Sequence, residues 1–319
     1  MTTLPVIAVV IPCYNEAEAL PVSAARIRGI LMSLADSGEI SNDSYILCVD
    51  DGSGDGTWGV IEKLAADGEH IAVRGIALAH NRGHQYALLA GLNEAALTCD
   101  AAVSIDADLQ DDPEAIVEMI RRFREGDEIV YGVRASRDTD THFKRNTARA
   151  FYKLQNMMGL ETVYDHADYR LMSRRALEIL GQYREHNLFL RGIIPQIGLS
   201  HSIVTYDRGT RVAGESKYPL RKMLSFSIDG ITSFSARPMR WIFGTGLSLL
   251  VIDVLISIYV LVALISGTAV SGWSSLMLSV WFLGSLILIA IGIVGEYIGK
   301  IFIEVKDRPR YNISKRAGY

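Results

Sequence analysis

The sequence predicts an α/β domain built on a mostly parallel sheet, followed by an amphipathic helix and two membrane-spanning helices. Three observations carry this. The first 218 residues alternate short apolar runs with amphipathic helical patterns, as strand–crossover helix–strand units do. Residues 241–265 and 272–295 are two long apolar stretches. Charge divides at the same place. Residues 1–218 carry 22 Lys+Arg against 31 Asp+Glu, net −9; residues 219–319 carry 10 against 5, net +5. An acidic front joined to a basic, apolar back implies two physical environments.

The front elements follow in order. Val6–Ile11 is a strand ended by Pro12, and Ala17–Leu34 is helical. Tyr45–Val49 is a strand running into Asp50-Asp51-Gly52, followed by a helix over Thr57–Ala66. Ala72–Leu78 and Ala101–Ile105 are strands separated by a helix over Tyr86–Leu97. Pro113–Arg124 is a helix with proline in its first turn, and Ile129–Val133 a further strand. In such sheets ligands bind beyond the carboxyl ends of the strands. Here those ends carry Tyr14-Asn15-Glu16, Asp50-Asp51, Asp106-Ala107-Asp108 and Gly132-Val133-Arg134.

Behind the front domain, residues 219–240 place Leu220, Met223, Leu224, Ile228, Ile231 and Phe234 at helical spacing beside Arg221 and Lys222. That stripe suits a helix lying on a membrane surface, and equally an amphipathic helix packed on the front domain. Residues 241–265 hold one charge, Asp253, and residues 272–295 none. At about 1.5 Å per residue each is long enough to cross a bilayer core. The short uncharged connector 266–271 makes them a hairpin. Arg237 and Arg240 precede the pair. Lys300, Lys306, Arg308, Arg310, Lys315 and Arg316 follow it, in a basic tail over 296–319. The positive-inside rule then places both chain ends and the front domain in the cytoplasm, against the inner membrane. Gly244, Gly246, Gly284 and Gly292 permit close helix contacts, including those of a homo-oligomer. Asp253 is either functional or a hydrogen-bonded residue at a helix interface. Cys13, Cys48 and Cys99 have no metal spacing and fit a reducing compartment. The net charge of −4 argues against a nucleic-acid partner.

Two patterns carry chemistry. Asp106, Asp108 and Gln110 put two carboxylates and an amide at alternating positions after a buried strand. Such oxygens can converge on one hard cation and leave places for phosphates; a solvated acidic loop has the same composition. Arg145, Arg149 and Lys153 recur every four residues, on one helix face. With Lys144 and Arg134 they form either a phosphate pocket or a solvated basic face. His80 and His84 flank Asn81-Arg82-Gly83 and are assigned no metal.

Together the motifs resemble family 2 inverting glycosyltransferases of the GT-A fold. The residues that carry the resemblance are IPCYNE at 11–16, VDDGSGDGT at 49–57, NRGHQ at 81–85 and DADLQD at 106–111. YGVR at 131–134, DHADYRLMSR at 165–174, FLRG at 189–192, GESKYPLRKM at 214–223 and GEYIGKIFIEVKDRPRY at 295–311 are similar to one subgroup, the polyprenyl-phosphate glycosyltransferases. These include bactoprenol glucosyltransferases and are related to dolichol-phosphate mannose synthases. The resemblance implies a nucleotide sugar bound among Pro12, Tyr14, Glu16, Asp51 and Asp106. It implies Mg²⁺ or Mn²⁺ held by Asp106, Asp108 and Gln110. It implies a catalytic set of Asp168, Arg170 and Asp108, with Asp168 orienting or assisting the attack and Arg170 stabilising phosphate charge. A polyprenyl phosphate acceptor would be seated by Arg134, Arg145 and Arg149, with Lys217 and Tyr218 bordering the site. UDP-glucose is the first donor implied; GDP-mannose or a modified arabinose donor comes behind it. A processive polysaccharide synthase would usually carry Gln-x-x-Arg-Trp, but Arg237–Trp241 lacks the Gln. A non-enzymatic membrane scaffold would not need the intact acidic set. Tyr169 and Ala167 stand where the subgroup often has Phe and Gly, which bears on donor selectivity.

Overall fold

A computed structural model describes residues 4–134, 166–186, 188–207 and 272–319, with part of 242–266. Two units are distinguished. One takes in the described residues up to Asp207 together with Arg308–Tyr319; the other runs through the helix at 273–305 to Asp307.

The first unit is built on one eight-stranded sheet. Its strands are β1 (Ile7–Cys13), β2 (Tyr45–Asp50), β3 (Ala72–Leu78), β4 (Ala101–Ser104), β5 (Ile129–Arg134), β6 (His166–Ser173), β7 (His201–Tyr206) and β8 (Ile313–Ala317). They lie in the order β7-β5-β6-β4-β1-β2-β3-β8. The pairs β1–β2, β1–β4, β2–β3 and β5–β7 are parallel. The pairs β4–β6, β5–β6 and β3–β8 are antiparallel. The helices are α1 (Leu20–Asp36), α2 (Thr57–Ala65), α3 (His84–Ala96), α4 (Ala115–Arg124), α5 (Arg174–Gln182) and α6 (Leu190–Gln196). The five front strands expected from the apolar runs are all present.

Both faces of the central strands are covered, which is why they read as continuous apolar runs. Ile7, Val9 and Ile11 of β1 pack with Leu20, Ile27 and Leu31 of α1 and with Ile116 and Ile120 of α4. On the opposite face α3 packs so closely that a Cβ on Gly91 would lie 2.4 Å from Val10 Cγ1. Only glycine allows that approach.

β6 departs from the strand pattern expected of a sheet buried on both faces. Tyr169 and Leu171 join the core while Asp168 and Arg170 alternate with them. That charge hid the strand in the sequence.

The second unit contains α7 (Trp273–Val305), a helix of 33 residues. Its segment Phe282–Val305 is long and apolar enough to cross a membrane, with mean hydropathy 2.1 and none of it buried. The expected span 272–295 lies in this helix, which runs ten residues further. Within the basic tail expected over 296–319, the first ten residues continue this helix and Ile313–Ala317 is an edge strand of the sheet. The expected amphipathic helix at 219–240 lies outside the described residues; of the expected first span 241–265, fourteen residues are described, all helical, and eleven, Asp253 included, are not.

Candidate active site

The strand order turns back on either side of β1, so a crevice opens between the carboxyl ends of β1 and β4. Proline assists it. In β1 the even residues face β4, as the bond from Ile105 N–H to the Val10 carbonyl shows. Pro12 has no N–H to continue that ladder, and the β1–β4 pairing stops at Val10↔Ser104. On the other side β1–β2 pairing continues to Cys13↔Asp50.

The loops after β1 and β2 are tied together. Asn15, at φ +57°, donates its N–H to Ser53 Oγ at 3.0 Å and accepts from Gly54 N–H at 2.9 Å. Glu16 N–H donates to Thr57 Oγ1 at 2.9 Å. Beside this frame the Tyr14 ring is 51% exposed, free to stack on a planar ligand.

Asp51 is buried. Its two carboxylate oxygens accept the N–H groups of Arg82 at 2.7 Å and Gly83 at 2.8 Å. Burial pushes its carboxyl up, and the two donors pull it back part of the way. Asp51 thus fixes the loop that opens α3. Gly52, at φ +68°, lets that loop close, because a Cβ there would lie 2.6 Å from Asn81 N. Asp51 shapes the crevice through the 81–83 backbone.

The first residue of α3 is His84, which faces the acidic centre. Its Nε2 stands 3.5 Å from Asp168 Oδ2 and 3.8 Å from Asp106 Oδ1. Arg170 Nη2 donates to Asp168 Oδ1 at 2.6 Å. Arg191 lays its fork on the same carboxylate, Nε to Oδ1 at 3.2 Å and Nη2 to Oδ2 at 3.0 Å. Ser104 Oγ holds the Asp168 carbonyl at 2.5 Å. Burial opposes the Asp168 charge, but Arg191, His84 and Arg170 outweigh it and hold the carboxyl well below the usual range. A carboxylate held this way is a poor proton acceptor and a good orienting group. Burial also works against a charged His84; Asp168 and Asp106 overcome it and raise the imidazole above its ordinary value.

Arg170, expected to stabilise phosphate charge, is 1% exposed and pairs with Asp168. The guanidinium that faces outward is that of Arg191, whose side chain is 42% exposed.

After β4 the chain turns sharply. Leu109 takes φ +48°, and Gln110 N–H donates to Asp108 Oδ1 at 3.2 Å. Asp106 and Asp108 are partly exposed, whereas Gln110 is buried. Among the described residues no group of three His, Cys, Asp or Glu side chains forms a metal cage. Two partly open carboxylates nevertheless fit a hard cation that completes its shell with substrate phosphates and water. Asp111, buried, accepts Arg134 Nε at 3.2 Å and Nη2 at 3.0 Å. Arg134, expected at the acceptor phosphate, is thus bound to the turn that carries Asp108.

Pro12, Tyr14, Glu16, Asp51, Asp106, Asp108 and Asp168 all gather at the carboxyl-end edge of the sheet. Arg145, Arg149, Lys217 and Tyr218 lie outside the described residues. His84, Arg191 and Asp111 were not singled out as site residues, although each stands in a quoted motif, NRGHQ, FLRG and DADLQD. No spacing rule signals that residues 84, 168 and 191 meet.

Residues 8–181 match the model of glycosyl transferase family 2. The chain belongs to that family. This glycosyltransferase is 49% identical over 309 residues to the uncharacterized glycosyltransferase YkoT of Bacillus subtilis, covering 97% of this chain and 91% of the relative. It is 38% identical over 313 residues to the SfII prophage-derived bactoprenol glucosyl transferase of Shigella flexneri, covering 97% of each. Among solved structures it is similar to the mannosyltransferase PcManGT of Pyrobaculum calidifontis, with a TM-score of 0.46 at 17% identity. That likeness covers 93% of this chain and 88% of the other. The family membership makes the chain an enzyme of glycosyl transfer, with the mixed Rossmann-like sheet that the resemblance implied.

Proposed function

We propose that this glycosyltransferase moves one sugar from a nucleotide sugar, UDP-glucose first, to undecaprenyl phosphate, with inversion, at the cytoplasmic face of the inner membrane. The near full-length similarity to a relative named bactoprenol glucosyl transferase carries this reading. The membrane reading draws on α7 and on the apolar stretch 241–265, which together would anchor the enzyme where a lipid phosphate lies. Both spans and the cytoplasmic placement of the domain belong to the proposal.

The nucleoside would sit over the tied β1 and β2 loops, with Tyr14 against the base and Glu16 nearby. Pro12 and Asp51 would shape the floor. Asp106 and Asp108 would hold Mg²⁺ or Mn²⁺; such an ion neutralises the leaving diphosphate. Gln110 would close the turn that aims Asp108. The acceptor phosphate oxygen is ionised at neutral pH, so it attacks the anomeric carbon without a strong base. Arg191 would meet phosphate charge, steadied by Asp168. His84 would add a second cationic edge. Arg145, Arg149, Lys217 and Tyr218 would border the lipid phosphate, and Arg134 would act through Asp111.

A panel of nucleotide sugars offered to purified protein with undecaprenyl phosphate and Mg²⁺ tests the reading, the glycolipid being identified by mass. A hexosyl lipid from UDP-glucose is expected. A product from GDP-mannose or a pentose donor would reassign the sugar, and the absence of any lipid product would overturn the acceptor. Asp108→Ala should abolish transfer while the protein stays folded. Full activity of that variant with metal present would remove the metal assignment.

A further inference from the structure

Arg191 reaches Asp168 from α6, and the described residues between Tyr183 and Phe189 have no regular secondary structure. The connection from Tyr183 to Phe189 must therefore be held by individual bonds. Two come from α3. The Tyr86 hydroxyl donates to the His186 carbonyl, and Leu190 N–H donates to Gln85 Oε1 at 3.0 Å. Two come from the far end of the chain. His186 Nε2 donates to the Arg308 carbonyl at 2.7 Å, and Arg310 Nη1 donates to the Tyr183 carbonyl at 2.8 Å.

The end of the chain is itself anchored. β8 pairs antiparallel with β3, Ala77↔Lys315 and Gly75↔Ala317. Ala79 N–H donates to the Asn312 carbonyl at 2.9 Å, and Asn93 Nδ2 donates to the Tyr311 hydroxyl at 2.9 Å. Arg316 pairs with Glu94. Residues 308–312 thus run between the fixed edge strand and the connection.

We propose that Arg308–Asn312 is a strap that positions the 183–190 connection and, through it, the Arg191 fork on Asp168. Arg310 and His186 are positioning residues in this scheme and touch no substrate. His186 is gripped at both ends, its ring by the strap and its carbonyl by Tyr86. Tyr86 and Gln85 follow His84 directly, so one network fixes His84 and Arg191, two of the three cationic neighbours of Asp168. The strap supplies two of these four bonds to the connection. A two-pronged guanidinium contact loses its alignment with small displacements, so loosening the strap should act on turnover.

This inference rests on Asp168 and Arg191 being at the site of transfer, and the test separates the two. In the full-length protein, Arg191→Ala serves as the benchmark. Alongside it stand His186→Ala, Arg310→Ala and their conservative versions His186→Gln and Arg310→Lys, which keep a donor for each carbonyl. The readouts are kcat, KM for the nucleotide sugar, and melting temperature. The alanine variants should lower kcat about tenfold with KM changed by less than about twofold, as misplacement of a catalytic group does. The Gln and Lys variants should restore kcat. The melting temperature should not follow kcat across the set. If Arg191→Ala lowers turnover and the strap variants do not, the strap has no positioning role. The same conclusion follows if their kcat tracks melting temperature and the conservative variants fail to rescue. If Arg191→Ala leaves turnover intact, the site reading fails and the strap proposal falls with it.

Discussion

At the scale of single residues, the centre of the molecule is an ion cluster in which one carboxylate serves three cationic groups. Asp168 is 10% exposed and lies between buried Arg170, outward Arg191 and His84. Removing it takes from the buried Arg170 the carboxylate it is paired with. Asp168→Ala should therefore cost about 3–5 kcal/mol, the usual penalty for breaking a buried pair, read by denaturant unfolding. The pH dependence follows from the directions of the shifts. The depressed Asp168 contributes stability that is complete above its unfolded value, near pH 4, and is lost as pH falls through its lower folded value. The raised His84 contributes stability that is complete below its unfolded value, near pH 6.5, and is lost as pH rises through its folded value. Unfolding of His84→Gln against pH should lack this alkaline loss. An unchanged alkaline limb would assign it elsewhere.

At the scale of elements, α3 links the core to the site. Gly91 lets it press on β1, and its first turn delivers His84, Gln85 and Tyr86. Gly91→Val should destabilise the fold by about 1–3 kcal/mol through overpacking, seen as a lower melting temperature. Because the helix would shift away from Val10, turnover should fall as well. Gly318 plays a similar part at the chain end. It holds φ +74°, and a Cβ would lie 2.5 Å from the Val73 carbonyl oxygen. Pro12 acts by a missing donor. The β1–β4 ladder ends where its N–H would have been needed, and the crevice begins there.

At the scale of the whole molecule, the domain is not contiguous in the chain. Arg308–Tyr319 returns to the sheet after α7, so the last strand caps the edge of β3. Exposed sheet edges invite pairing with other chains. Truncation after Asp307 should therefore yield a protein more prone to aggregate and faster to be cleaved by limited proteolysis. Equal protease resistance would show that β8 adds nothing to the fold. The return also changes how the basic residues behind α7 are read. Arg310 and Arg316 bind Tyr183 and Glu94, and Lys315 lies 5.7 Å over the Trp58 ring. They hold the domain together as well as contributing positive charge. Membrane topology can be mapped with introduced cysteines, since Cys13, Cys48 and Cys99 are all buried and give little background. A thiol in the 266–271 connector should label only from outside the cell, and one appended after Tyr319 only from inside.

Much of this protein was legible in its sequence. The apolar runs and their spacing located the five front strands, and a strand with both faces covered leaves no other pattern. The acidic turn after β4 and the proline of β1, where its pairing with β4 stops, marked the crevice, because local chemistry dictates both. The long apolar stretch at 272–295 announced a helix by length alone. Tertiary structure decided what depends on distant chain segments meeting. β6 carried charge where a core strand should be apolar, and its partners lie elsewhere in the chain. β8 is short and basic, and nothing local distinguishes it from a tail until β3 pairs with it. The assignment of Arg170 to the interior and Arg191 to the surface was decided the same way. Both are arginines near an aspartate in sequence or in space, and only packing determines which of them meets solvent.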